Sequence, residues 1–250
     1  MMSNSFINSK SNNNLIIIKE NYINFKEEEA APIKPSEYVI SIDEARVNMV
    51  NWLSFLCAKL NFTEQTLFRS VSIFDQYMSK VSLDEVINLD QNNLNIITIA
   101  CLSLSTKLEE INCNYISFLN EKVLNAPNSK IFSNKDLTKM ELSILKTLKY
   151  KTIYSTPLDF LDIYIAIFNN ALGINNSMMN IQLISQIKAI SINIMKSNII
   201  NEIYITNSSS HFAYLCFIQA LKQISKTNSI NNKQLEKSIL IFNYHFSNIF

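Results

Sequence analysis

Ala100-Cys101-Leu102-Ser103-Leu104-Ser105-Thr106-Lys107-Leu108-Glu109-Glu110-Ile111 is the stretch that decides the fold. Leu94, Ile97, Cys101, Leu104 and Leu108 share one helical face, and Ile96, Ile99, Ala100 and Ser103 widen it until little solvent side remains. A helix that is apolar nearly all round is packed by neighbours on several sides. The segment over about 90–110 is therefore predicted to be the central helix of an all-helical domain. The small residues Ala100, Ser103 and Ser105 let those neighbours approach closely. Lys107 closes the run as a charge that the apolar pattern does not explain.

Helical periodicity persists on both sides of this segment. A helix over about 42–60 carries Ala45, Met49, Trp52, Leu53 and Leu56, with Asp43 and Glu44 near its positive N-terminal end. A second, over about 63–79, carries Leu67, Val71, Phe74 and Met78, with Thr63 as its N-cap. Beyond the central helix, a shorter one is predicted over about 114–124, then a polar loop over 125–134, then a helix over about 135–150 with Leu137, Met140, Ile144, Leu145 and Leu148. Ser155-Thr156-Pro157 is a helix-start signal, because proline tolerates the first turn. Further helices are predicted over about 157–171, 178–200, 208–225 and 231–249. Residues 1–36, rich in Ser and Asn and ending in Glu27-Glu28-Glu29, Pro32 and Pro35, read as a disordered tail. The expected division is thus a tail at 1–36, a helical domain at 37–152 and a second, shorter helical domain at 153–250.

Composition agrees with helices. Among 250 residues there are one Gly and four Pro, too few for the turns of a β-protein. The net charge is +1, and the only arginines are Arg46 and Arg69, so no basic stripe for nucleic acid is visible. Cys57, Cys101, Cys113 and Cys216 form no CxxC pair and read as reduced core thiols of an intracellular protein. His211 and His245 are far apart in sequence, so no metal is expected. No apolar run approaches the ~20 residues that span a bilayer, so no membrane partner is expected. There is no nucleophile–base set or Gly-rich loop, so neither an enzyme nor a cofactor is expected.

The informative residues are charges on apolar faces, since a buried charge is paired or functional. Arg46 lies on the row Arg46, Val50, Leu53, and Asp75 lies on the row Leu67, Val71, Asp75. They are opposite in sign on neighbouring helices, and a structural pair is the economical reading. Lys107 and Glu141 form a second set; Glu141 sits between Leu137 and Leu145. On spacing alone, a plain salt bridge at a helix end explains them better than a partner-binding role does.

A set of motifs then resembles the cyclin family. Arg46-Val47-Asn48-Met49-Val50-Asn51-Trp52-Leu53 is similar to the opening of the cyclin box, and Ser72-Ile73-Phe74-Asp75-Gln76-Tyr77-Met78 to its second-helix segment. Ala100 to Ile111 resembles the third-helix signature, and Met140-Glu141-Leu142-Ser143-Ile144-Leu145-Lys146-Thr147-Leu148 the fifth. Thr156-Pro157-Leu158-Asp159-Phe160-Leu161 looks like the start of a second cyclin fold. Together they cover about 38–165 in the family's order; beyond about 170 only the helix pattern matches. The resemblance implies an all-α chain of two consecutive cyclin-type domains, the second more divergent and trimmed. It implies that Arg46–Asp75 braces the first domain. It also implies a heterodimer with a cyclin-dependent protein kinase, contacted through Lys107 and Glu141, with Leu108, Leu145 and Tyr150 as the apolar part and Glu109 and Glu110 as the signature's acidic pair. The expected role is a regulatory subunit controlling cell-cycle progression, in the nucleus or cytoplasm. A transcription-type cyclin, or a cyclin-fold adaptor that activates no kinase, is the alternative.

The chain departs from the family in places. The substrate-docking patch maps onto Ala45, Asn48, Met49, Trp52 and Asn95, and Ala45 and Asn48 are smaller or more polar than the pattern, which weakens that patch. Gln76 stands where an Arg usually follows the Asp. Lys19-Glu20-Asn21 is similar to a degradation signal read by the anaphase-promoting ubiquitin ligase, and its expected place in a disordered tail makes that ligase a second candidate partner.

Overall fold

The computed structural model describes residues 2–33, 42–81, 90–111, 133–172, 178–227 and 239–244. These residues form α1 (Met2–Glu28), α2 (Ile42–Leu60), α3 (Glu64–Met78), α4 (Gln91–Glu109), α5 (Asn134–Thr147), α6 (Pro157–Leu172), α7 (Met178–Asn198), α8 (Glu202–Thr206) and α9 (Ser209–Thr227). Residues 239–244 are also helical, and no β-strand occurs among the described residues. The fold is all-α. The short helix expected over 114–124, Cys113, His245, all but the last two residues of the loop expected over 125–134, and the final helix outside 239–244 lie outside the described residues.

The chain divides into two compact units. One comprises Ala30–Thr156 together with Ile199–Ser208; the other comprises Met1–Glu29, Pro157–Asn198 and Ser209–Phe250. The expected division at 152/153 into two consecutive blocks is corrected accordingly. The boundary falls at Thr156–Pro157, where proline starts α6. Ile199–Ser208 is drawn into the first unit by hydrogen bonds to its backbone, described below.

In the first unit α4 is central and packs against α2, α3 and α5. Every residue from Ile96 to Thr106 is buried, which is three turns with no solvent side. Polar groups inside that run are satisfied locally. Thr98 Oγ1 donates to Leu94 O at 2.8 Å, Ser105 Oγ to Cys101 O at 2.9 Å and Thr106 Oγ1 to Ser103 O at 2.9 Å. Ala100 is fully buried, as are Val71 and Phe74 of α3 and Ile144 of α5. Side-chain caps start the helices: Thr63 for α3, Asp90 for α4 and Ser133 for α5 each accept a backbone N–H from the first turn.

In the second unit α6, α7 and α9 surround an aromatic core. The Phe217 ring lies 5.9 Å from Phe168 and 5.1 Å from Phe242. The segment 1–36, expected as a disordered tail, is instead helical over Met2–Glu28. Leu15, Ile18, Tyr22 and Phe25 recur at helical spacing and are the half-buried positions of its last turns. Tyr22 meets Phe160 edge-on with ring centroids 5.6 Å apart, and Phe25 meets it at 6.1 Å. Beyond α1, Glu29 Oε1 accepts the Ser210 backbone N–H at 2.6 Å, while Tyr164 Oη donates to Ser210 O at 2.9 Å. Polar composition hid a four-residue apolar stripe with an aromatic surface to bind.

Candidate functional site

Arg46 is a buried charge engaged on several sides. Its residue is 1% exposed, and Asp75 is 3% exposed. Arg46 Nε donates to Asp75 Oδ1 at 2.8 Å and Nη2 to Asp75 Oδ2 at 3.0 Å, a bidentate pair between α2 and α3. Nη2 also donates to Ile199 O at 2.9 Å, and Nη1 to Ile200 O at 3.1 Å. The guanidinium carbon lies 5.8 Å from the centre of the Tyr204 ring. Burial, and then the Asp75 carboxylate, push the Tyr204 hydroxyl up, with Arg46 acting against them. The same two causes, burial and Asp75, raise the Cys101 thiol. This arrangement is a brace, and no group in it is poised for chemistry.

Lys107 and Glu141 meet where the end of α4 lies against α5. Lys107 Nζ donates to both carboxylate oxygens of Glu141, at 2.6 and 2.7 Å. The two partners differ in access: the lysine side chain is 40% exposed and the glutamate side chain 9%. Glu141 is anchored on a buried row with Leu137 and Ile144, so it fixes an ammonium group that still reaches solvent. Such a group can donate to a partner's backbone carbonyls without losing its own counter-charge. Exposed apolar residues lie on the same segments: Leu108 and Ile111 beside Lys107, Leu142 beside Glu141. Leu145 is only partly exposed and packs against the core.

Tyr150 is strongly exposed, and its backbone is unusual. Lys149 and Tyr150 have φ of 52° and 61°, two left-handed residues in succession without glycine. Leu148 ends α5, after which Lys149 N–H donates to Lys146 O at 3.0 Å and Tyr150 N–H to Leu145 O at 2.7 Å. These two bonds close the helix on its own last carbonyls and turn the Tyr150 ring outward. Exposed Ile153 follows three residues later.

Glu109 and Glu110 are occupied within the chain. Glu109 pairs with Arg69, which also donates from Nη1 to Tyr154 O at 2.8 Å. Glu110 Oε1 accepts from Thr63 N–H at 2.8 Å, Thr63 Oγ1 at 3.0 Å and Thr66 Oγ1 at 2.5 Å. Partial desolvation pushes the Glu110 carboxyl up, but the bonds from Thr66 and Thr63 outweigh it and hold it below the ordinary carboxylate range. The structure thus gives these two acids intramolecular partners. Arg69 is a buried, paired charge that sequence reasoning missed. Its signal was a lone charge inside the continuously buried run Leu67-Phe68-Arg69-Ser70-Val71.

Of the residues mapped onto a substrate-docking patch, Met49 is buried, Trp52 is half-buried against the core, and Asn95 is partly buried, its Oδ1 accepting from Gln91 Nε2 at 2.9 Å. Lys19, Glu20 and Asn21 are exposed, but they lie within α1 and not in a disordered segment, which removes the premise of the degradation-signal reading. Among the described residues no group of three or more His, Cys, Asp or Glu could hold a metal ion, and no helix is long and apolar enough to cross a membrane.

A family model described as "Cyclin, N-terminal domain" matches residues 17–153, more than half of the chain. The chain is 28% identical over 113 residues to G2/mitotic-specific cyclin-B of Emericella nidulans, covering 45% of this chain and 21% of that protein. It is 27% identical over 124 residues to Cyclin-D2-2 of Oryza sativa subsp. japonica, covering 50% and 33%. It is 28% identical over 121 residues to G2/mitotic-specific cyclin-2 of Saccharomyces cerevisiae, covering 48% and 22%. The aligned part spans about a fifth to a third of these relatives. Among solved structures, a viral cyclin from herpesvirus saimiri superposes with a TM-score of 0.59 at 20% identity, covering 85% of this chain and 88% of that one. That likeness is one of fold.

Proposed function

Because the chain belongs to the cyclin family, we propose that it is a regulatory subunit that binds and activates a cyclin-dependent protein kinase and so controls cell-cycle progression. The observation that carries this reading is the Lys107–Glu141 pair, an anchored carboxylate holding a solvent-reaching ammonium beside exposed Leu108. Lys107 donates to carbonyl oxygens next to the kinase's mobile regulatory helix, and Glu141 holds the ammonium in place while its exposed edge meets the same element. Leu108, Leu142 and Tyr150 bury apolar surface against the same element. Binding energy available only to the inward position of that helix shifts the kinase's population toward it. The kinase's own Glu then pairs with its ATP-positioning Lys. The cyclin contributes no catalytic group, and it works inside the cell, in the nucleus or cytoplasm with its kinase.

The relatives named as mitotic cyclins support the cell-cycle assignment. The test is to add the purified chain to a monomeric cyclin-dependent kinase and to measure complex formation and phosphoryl transfer. Copurification with a rise in phosphoryl transfer of at least tenfold is expected. Binding with no gain in transfer would favour an adaptor, and absence of binding to every kinase of the class would overturn the proposal.

A further inference from the structure

We propose that Arg69 is a positioning residue for the kinase-docking face, clamping together the two chain segments that carry its exposed side chains; this rests on the docking reading above. One segment is the end of α4, where Lys107 and Leu108 are followed directly by Glu109 and Glu110. The other is residues 150–156, which carries exposed Tyr150 and Ile153. Both are held by the first two turns of α3. Arg69 is buried, its Nε pairs with Glu109 Oε1, and its Nη1 donates to the Tyr154 carbonyl at 2.8 Å. Before it in the same stretch, Thr63 and Thr66 hold Glu110, and Gln65 Oε1 accepts from Thr156 Oγ1 at 3.1 Å.

The chemistry of the side chain explains why an arginine is needed. Glu109 is a charged acceptor and Tyr154 O a neutral one, on different strands of chain. A guanidinium presents Nε and Nη1 in a fixed plane and can serve both at once, whereas a lysine ammonium is a single point. After Lys151 N–H donates to Leu148 O at 3.0 Å, the chain has left α5, and the Arg69 bond at Tyr154 holds the backbone at the far end of the exposed turn. With Tyr150 and Ile153 between two fixed ends, the ordering cost of that turn is met before the partner arrives.

The full-length chain carrying Arg69→Lys tests this, with Arg69→Met/Glu109→Gln as a second variant that removes both charges together and leaves none buried alone. Amide hydrogen exchange is measured over 150–156, and affinity for a purified cyclin-dependent kinase is measured for wild type, Arg69→Lys, Tyr150→Ala and the combination. The expected result is exchange at 150–154 at least tenfold faster, with exchange in the interior of α4 unchanged. Affinity should fall about tenfold in Arg69→Lys, and the loss in the combination should be smaller than the two single losses together, because part of the effect of Arg69 passes through Tyr150. A merely structural role gives losses that add, and additive losses overturn the positioning role. Unchanged exchange at 150–154 in both variants overturns the clamp whatever the kinase does. Faster exchange in a chain whose wild type binds no kinase would overturn the docking reading and, with it, the role in docking, while leaving the clamp itself standing.

Discussion

Arg46 grips Asp75 with two parallel hydrogen bonds, of 2.8 and 3.0 Å, and the same guanidinium reaches the carbonyls of Ile199 and Ile200. One side chain therefore ties α2 to α3 and both to a segment more than 150 positions beyond Arg46 in sequence. Removing it leaves a buried carboxylate and two carbonyls short of donors. Arg46→Ala is expected to destabilise the first unit by about 3–5 kcal/mol. Replacing both partners, Arg46→Met with Asp75→Leu, should recover only part of that, because the carbonyls of 199 and 200 still lose their donors. Urea unfolding of the full chain checks both; an unchanged midpoint for Arg46→Ala would mean the pair is not buried.

Glu110 links the end of α4 to the start of α3, and its carboxyl sits below the ordinary range. A carboxyl whose folded pKa is depressed contributes stability above its unfolded pKa of about 4.3 and loses it as pH falls through the lower folded value. Glu110→Gln cannot titrate, so the gap in melting temperature between wild type and variant should be widest above about pH 5 and should narrow toward about pH 3. Thermal melts across that range decide it; a gap that is constant with pH would show that Glu110 titrates normally.

Lys149 is exposed and left-handed at φ 52°, in a chain whose single glycine is elsewhere. Lys149→Gly removes the steric cost of the left-handed conformation, offset partly by greater freedom in the unfolded chain. A net gain of about 0.5–1 kcal/mol is expected, with kinase binding unchanged because the Tyr150 ring is untouched. Calorimetry together with a binding titration tests this. A fall in melting temperature would show that the lysine side chain makes a contact worth more than the strain.

How much of this was legible depends on the element. The central position of α4 could be read from its own apolar pattern, because three turns of uniformly apolar and small residues have no other stable environment. Arg46 and Asp75 were visible as single charges on apolar rows, and Lys107 and Glu141 as charges out of place. Spacing could not separate a helix-end salt bridge from a docking pair; the resemblance of the motifs is what favours the second reading. The return of 199–208 to the first unit was not legible, because its signal is two backbone carbonyls, which every residue has. Arg69 was passed over because α3 was read as a single stripe, and the buried run that encloses Arg69 covers more than one face. The assignment of Glu109 and Glu110 to docking came from the signature alone. In the fold their oxygens accept from Arg69, Thr63 and Thr66. The N-terminal helix was hidden by composition: Ser, Asn and Glu outnumber the four apolar residues that pack.

The central claim is that Lys107 and Glu141 are docking groups and not only a helix-end salt bridge. The most direct measurement is capture of a purified cyclin-dependent kinase by the chain carrying Lys107→Ala and Glu141→Ala together, with circular dichroism of both proteins. Removing both members together leaves no charge buried alone, so the helical spectrum and melting temperature should stay close to wild type. Capture is expected to fall at least a hundredfold. Capture at the wild-type level by a folded double mutant would contradict it.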